Sequence, residues 1–400
     1  MITKEFYVNN RRNIIRLLKS GALVLSAYSA LQRQNDMAFA FSQESNFWYL
    51  TGIANADWKL VVDITSGEEW LIAPEVDAVH QVFDGSLSAN AASELSGIKK
   101  VISYDEGLVL LRALAKKHST VYTIDQPQHA DYFNFLLNPS IANNKRTLER
   151  LFSSVMYCQK ELSGLRAIKQ PEEIKMIQKA VDITIGGFEY VKKSMNSYKH
   201  EYELDADISW VMRRTGATGH AYDPIIAAGK NACTLHYSHN DSVVKSRQLV
   251  LLDVGASCGG YAADITRTYA KHEPTKRQVA VHAAVESAHR EIIGLIKPSV
   301  SIQEYQQRVN EIMSEAIDSL GLGKNDDALH KYFPHAVSHG LGIDVHDSLG
   351  APSHLVENMV LTVEPGVYIP EEGIGVRIED DILVTAKGNK NLSSALSTGL

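Results

Sequence analysis

Two stretches of this 400-residue chain set carboxylates inside runs that are otherwise apolar and β-branched. The first joins Gln248-Leu-Val-Leu-Leu-Asp253-Val-Gly255 to Tyr261-Ala-Ala-Asp264-Ile-Thr-Arg-Thr-Tyr269. The second joins Val360-Leu-Thr-Val-Glu364-Pro-Gly-Val-Tyr368-Ile to Ile374-Gly-Val-Arg377-Ile-Glu379-Asp-Asp381-Ile. Such runs, bounded by glycine-containing turns, read as strands of two hairpins. A turn centred on Cys258-Gly259 places Asp253 opposite Asp264, and a turn about Glu371-Glu372 places Glu364 opposite Glu379. Facing side chains on one sheet surface lie about 4.5–5.5 Å apart between Cβ atoms. Two carboxylates buried at that range repel unless a proton or a cation sits between them. Two such pairs in one chain favour the cation.

Between the hairpins runs Pro334-His335-Ala-Val-Ser-His339-Gly-Leu-Gly-Ile-Asp344-Val-His346-Asp347, with three histidines interleaved with glycines and apolar residues. That interleaving is unlike a solvated surface and offers an imidazole to the same site. Four carboxylates and an imidazole form a hard, oxygen-rich donor set without thiolate, which favours Mn²⁺, with Co²⁺ or Zn²⁺ as alternatives. A histidine ligand suits Mg²⁺ poorly. Four negative charges balance two dications, and dinuclear sites of this kind lower the pKa of a bridging water and clamp oxygens with metals about 3.5–4 Å apart.

The length exceeds what one ordinary core absorbs, so two domains are expected. Residues 1–160 read as a smaller α/β unit: a helix over 5–19 ended by Gly21, strands at 22–26, 60–64 and 70–73, and a helix over 108–117. It holds no cluster at metal-ligand spacing and is assigned a substrate-shaping or oligomerising role. Residues 161–400 open on Gln170-Pro171-Glu172-Glu173, a helix start with proline in the first turn and acids at the positive end of the dipole. Helix, helix and strands then follow twice, with helices near 171–190, 203–214, 276–296 and 302–320, which suggests two pseudo-equivalent halves.

The net charge of −7, with no long basic stretch, gives no footprint for nucleic acid. No apolar run reaches the roughly 18 residues of a membrane helix, and none reads as a signal-peptide core. Cys158, Cys233 and Cys258 are odd in number and lack disulfide or zinc-knuckle spacing, which fits free thiols in a reducing cytoplasm.

These segments resemble the proline-specific branch, aminopeptidase P and prolidase, of the M24 "pita-bread" metallopeptidases, and the resemblance covers essentially the whole chain. Phe47-Trp-Tyr-Leu-Thr-Gly52 is similar to a motif of that branch's N-terminal domain, and Arg166 with Pro171-Glu172-Glu173 to the start of its catalytic domain. Asp253-Val-Gly255, Asp264-Ile-Thr-Arg-Thr268, Ser338-His-Gly-Leu-Gly342, Val345-His-Asp347, Thr362-Val-Glu-Pro-Gly366 and Arg377-Ile-Glu-Asp380 match family motifs in order. The resemblance implies an α/β (α+β) fold: a C-terminal pita-bread catalytic domain with two pseudo-symmetric halves after a creatinase-like N-terminal α/β domain.

It also implies a dinuclear exopeptidase that hydrolyses the Xaa-Pro bond of proline-containing peptides, acting as a homodimer or homotetramer. Asp253, Asp264, His339, Glu364 and Glu379 then hold the two metals, with Asp264 and Glu379 bridging. Glu364 resembles the general acid/base, and His346 the histidine that steadies the scissile carbonyl. His335 and His236 flank the proline pocket, while Tyr368 and Arg377 match positions that orient ligands. Two departures bear on substrate length. Residues 348–358 lack an arginine that relatives often place there, and which in prolidases can grip a dipeptide carboxylate. The segment Phe83-Asp84-Gly85 lacks a tryptophan that some aminopeptidases P lend to a neighbouring subunit. The first tilts the expectation from an Xaa-Pro dipeptidase toward an aminopeptidase accepting longer peptides. A catalytically inactive pita-bread binding protein is the alternative of another class, and the filled ligand positions argue against it.

Overall fold

Residues 2–127 and 134–400 are described by a computed structural model, and they divide into two units, 2–165 and 166–400.

In the first unit six strands form one mixed sheet, in the order Lys100–Ile102, Glu68–Ile72, Lys59–Asp63, Ala22–Ser26, Thr120–Thr123 and Ser154–Tyr157. The turn between Lys59–Asp63 and Glu68–Ile72 is fastened by Asp63, whose Oδ1 accepts from the N–H groups of Thr65 and Ser66 at 3.1 and 3.3 Å. The side chains of Ala22, Val24, Val61 and Val121 meet Leu111 and Leu114 from the helix Tyr104–Lys117, Leu148 from the helix Pro139–Leu151, and Phe152, which follows that helix. The expected helix over 108–117 begins four residues earlier. Ser103 and Glu106 form a reciprocal capping box there, the sequence signal that fixes such a start.

The second unit follows the helix–helix–strand order twice: Pro171–Lys193 and Glu201–Arg214 before one set of strands, Lys276–Leu295 and Ile302–Ser319 before the other. Pro171 occupies the first helical turn as expected, and Glu173 closes a capping box on the Gln170 N–H at 2.8 Å. The two later helices pack Val281, Val285, Ile292, Val309, Ile312 and Met313 onto Leu361, Val363, Val376 and Ile382 of the second hairpin. That core fixes the floor on which the second acidic pair sits.

Glu173 also accepts from the Tyr261 hydroxyl at 2.9 Å and is 1% exposed. Burial pushes its carboxyl up to about 7, against the opposing pull of the Gln170 N–H and Lys169. In the unfolded chain it ionises near 4.5. The stability it contributes is therefore full below 4.5 and drains as pH rises toward 7. Glu173→Gln should lose less stability than the parent between pH 5 and pH 8, measured as the difference between the two denaturation midpoints. Parallel curves would contradict this assignment.

Candidate metal centre

The first hairpin is displaced by two residues from its expected register. Cys258 faces Tyr261, and along the same ribbon Asp253 faces Thr266 rather than Asp264. The turn centres on Gly259-Gly260, with φ of 59° and 85°. A two-residue type I′ turn needs positive φ at both central positions, which two glycines provide and Cys258-Gly259 does not. The ribbon then breaks at Gly255: a Cβ there would lie 1.8 Å from the Ala263 carbonyl oxygen, so only glycine admits this approach. Asp264 sits beside that break, its N–H donating to Asp381 Oδ2 at 3.1 Å.

The second hairpin keeps the expected register. Gly366 pairs with Arg377 and Ile369 with Ile374 around the turn, and Val363 with Asp380 beyond it. Glu364 and Glu379 fall opposite one another in the gap between these two ladder segments, where Glu379 turns to the first hairpin instead. Its N–H donates to the Thr266 carbonyl at 3.0 Å, and its Oε2 accepts from Thr266 Oγ1 at 2.7 Å. This cross-hairpin bridge, rather than direct opposition of Asp253 and Asp264, gathers both acidic pairs.

The histidine segment lies along strand Val360–Val363. The Thr362 N–H donates to the His339 carbonyl at 3.0 Å and the Glu364 N–H to the Val337 carbonyl at 2.9 Å. Asp347 anchors its far end, accepting from Arg166 at 2.7 Å with Lys169 at 3.5 Å.

His339 Nε2 lies 3.4 Å from Asp264 Oδ2 and 3.5 Å from Glu364 Oε1. One ligand atom from each of Asp264, His339 and Glu379 falls within 4.8 Å of the others. The Tyr222 hydroxyl lies 2.5 Å from both Asp253 Oδ1 and Asp264 Oδ1, and Arg377 pairs with Asp253 Oδ2. All five residues expected as ligands thus converge. His346, exposed, lies edge-on to His339 with ring centroids 4.3 Å apart.

A separate polar chain borders the cluster. Arg377 donates to the Tyr368 hydroxyl at 2.8 Å, which lies 2.8 Å from His335 Nε2, while His335 Nδ1 lies 2.8 Å from the Ala336 carbonyl. Burial and the nearby Arg377 push His335 down to about 4. The ring is therefore neutral at pH 7: Nδ1–H donates to the carbonyl and Nε2 accepts from Tyr368. His236 is exposed, and its neighbours Leu235 and Tyr237 pack against the apolar cluster that includes Tyr368.

Sequence reasoning missed Tyr222, Thr266 and Asp381. Nothing local marks Tyr222. Asp381 shares parity with Glu379 along its strand, and that alternation was the signal available for it.

The donor set fits divalent cations. Burial and the neighbouring carboxylates hold Glu379 well above the usual range. Burial raises Asp264 too, with Asp253 adding to the rise and His339 opposing it. Glu364 is pushed up to about 7 by burial, opposed by His339 and Arg377. Burial disfavours charge on His339, yet its bond to Asp264 and the charges of Asp264 and Glu364 raise it to about 9. The cluster is thus short of positive charge, which divalent cations can supply without a thiolate or a soft donor.

Residues 175–386 match the model of metallopeptidase family M24, and residues 7–122 match that of the aminopeptidase P N-terminal domain. The chain belongs to metallopeptidase family M24. Its fold is the mixed α/β arrangement of that family, a pita-bread catalytic domain after the aminopeptidase P N-terminal domain. It is 32% identical to a Xaa-Pro aminopeptidase of Haemophilus influenzae over 98% of this chain and 94% of that one. A Xaa-Pro aminopeptidase of Escherichia coli is 30% identical over 99% and 96%. Among solved structures, E. coli aminopeptidase P with the inhibitor Pro-Leu superposes with a TM-score of 0.88 at 29% identity, covering 99% of this chain and 96% of that one. A zinc-substituted form of the E. coli enzyme with product gives 0.86 at the same identity and coverage. Among the described residues no helix is long and apolar enough to cross a membrane.

Proposed function

We propose that this chain is a dinuclear metallo-aminopeptidase that hydrolyses the Xaa-Pro bond and releases the N-terminal residue of proline-containing peptides. The observation that carries this is the convergence of Asp253, Asp264, His339, Glu364 and Glu379 beside the hydrogen-bonded chain of neutral His335, Tyr368 and the Arg377 guanidinium. The relatives named Xaa-Pro aminopeptidase, matched over nearly their full length, support the substrate.

Asp253, Asp264, His339, Glu364 and Glu379 would hold two divalent ions, most simply Mn²⁺, with Co²⁺ or Zn²⁺ able to replace it. When bound, such ions would supply Lewis-acid charge and lower the pKa of a bound water. Glu364 takes the proton of the attacking water and passes it to the leaving proline nitrogen, which as a tertiary amide carries no proton of its own. His346 donates to the scissile carbonyl oxygen as charge builds there. His335 and His236 flank the proline ring, and Arg377 and Tyr368 fix His335 in the tautomer described above.

The N-terminal unit joins copies of the chain into a dimer or tetramer. Exposed Val82 and Phe83, each 81% exposed, offer apolar surface for that contact. Three free cysteines fit the cytoplasm.

Substrate length is tested by comparing Xaa-Pro-Xaa tripeptides with Xaa-Pro dipeptides at equal metal loading. Tripeptides should give the higher kcat/KM, because residues 348–358 offer no arginine to grip a dipeptide's carboxylate. Cleavage of dipeptides alone would replace this assignment with a dipeptidase.

A further inference from the structure

The segment carrying His236 has little regular structure of its own: one 3₁₀ turn, Gly229–Cys233, and no strand before Leu249–Val254. Its position must come from side chains, because an irregular backbone has no ladder of its own to satisfy it. Both of its ends and two of its inner residues converge on one carboxylate. Glu201 is 0% exposed and opens the helix Glu201–Arg214. Its Oε1 accepts from the Ala228 N–H at 2.7 Å and from Asn231 Nδ2 at 2.9 Å. Its Oε2 accepts from the Ser242 N–H at 2.9 Å and from the Tyr237 hydroxyl at 2.8 Å. The Glu201 N–H returns a bond to the Ser242 carbonyl at 3.0 Å.

The other flank of the loop is held by packing. Leu235 and Tyr237 lie against the apolar cluster of Ile225, Ala227, Leu251 and Tyr368. His236 is therefore exposed between two neighbours, one set into the Tyr368 cluster and the other tied to Glu201 as well.

We propose that Glu201 is a positioning residue for substrate: by clasping residues 228–242 through four accepted hydrogen bonds, it holds His236 at the wall of the proline pocket. This rests on the proposed function, in which His236 borders the proline ring. A carboxylate can accept all four donors and donates to none. An amide of the same shape must turn its NH₂ toward the Ala228 or the Ser242 N–H, which can only donate, so Glu201→Gln keeps the volume and breaks one backbone end of the clasp.

The test is steady-state kinetics on a Xaa-Pro-Xaa peptide with the metal-loaded enzyme, for Glu201→Gln, Tyr237→Phe, His236→Ala and the double variant Glu201→Gln/His236→Ala. Misplacing a binding group should raise KM about tenfold in Glu201→Gln with kcat changed less than about twofold. Tyr237→Phe, which removes one of the four bonds, should move KM the same way by less. In the His236→Ala background Glu201→Gln should add little, because the group it positions is gone. Multiplicative effects in the double variant, or an unchanged KM with only a lowered Tm, would overturn the proposal and leave Glu201 a purely structural acid. Should Glu201→Gln not fold, the cycle between Tyr237→Phe and His236→Ala carries the same test. Absence of turnover in the parent enzyme would instead sink the proposed function itself.

Discussion

Asp264→Asn should abolish turnover and strip the chain of bound metal, a loss well beyond the roughly 10–100-fold that disturbing a ligand's outer partner costs. Asp264 stands at the crossing of the site: His339 Nε2 lies 3.4 Å away, Tyr222 bridges it to Asp253, and its own N–H is held by Asp381. The amide keeps the shape, and its oxygen still accepts from Tyr222, so the fold should survive. It removes one of the anions whose mutual repulsion and burial hold Asp264 and Glu379 above the usual carboxylate range. In chelator, therefore, the variant should melt no lower than the parent, while with metal added the parent alone should gain stability. An Asp264→Asn protein that retained full metal content and turnover would contradict the site.

Arg377→Met is the second large effect. The guanidinium is 4% exposed and reaches the Tyr368 hydroxyl at 2.8 Å, Thr266 Oγ1 at 3.2 Å and the Asp253 carboxylate. Removing one member of a buried charge pair leaves the other uncompensated, at a cost of about 3–5 kcal/mol. Here the stranded charge belongs to Asp253, one of the proposed ligands, so bound cations should relieve part of it. The loss in denaturation free energy should be larger in chelator than with metal present. Turnover should fall as well, because Tyr368 and His335 lose the donor that orders them. An equal loss under both conditions would mean that Arg377 serves packing rather than the charge of the cluster.

How much of this was legible depended on distance along the chain. The second hairpin could be read to the residue because its turn carries a local signature in Glu371-Glu372-Gly373, with Gly373 at φ 62°. The first hairpin departs by two residues from a turn on Cys258-Gly259, because Gly259-Gly260 alone satisfies two positive φ values. The acids still meet, through the break at Gly255 and the Thr266–Glu379 bridge, and neither leaves a mark in local periodicity. Tyr222 is of the same kind: it lies 31 residues from Asp253 and 42 from Asp264 along the chain, and only the fold brings its hydroxyl between them. The helix start at Pro171 is legible from the proline and the acids of its first turn, whereas the start at Tyr104 rests on the Ser103–Glu106 capping box, a signal outside the apolar periodicity.

The most direct test of the central claim is metal content and peptide cleavage measured on the same preparation. The purified chain is counted for metals, assayed on Xaa-Pro-Xaa peptides, stripped with chelator, and reloaded with Mn²⁺. The expected result is about two divalent ions per chain, release of the N-terminal residue, its loss on stripping and its return on reloading. A folded, metal-replete protein that cleaves neither Xaa-Pro-Xaa nor Xaa-Pro, or one whose cleavage survives complete removal of metal, would contradict it.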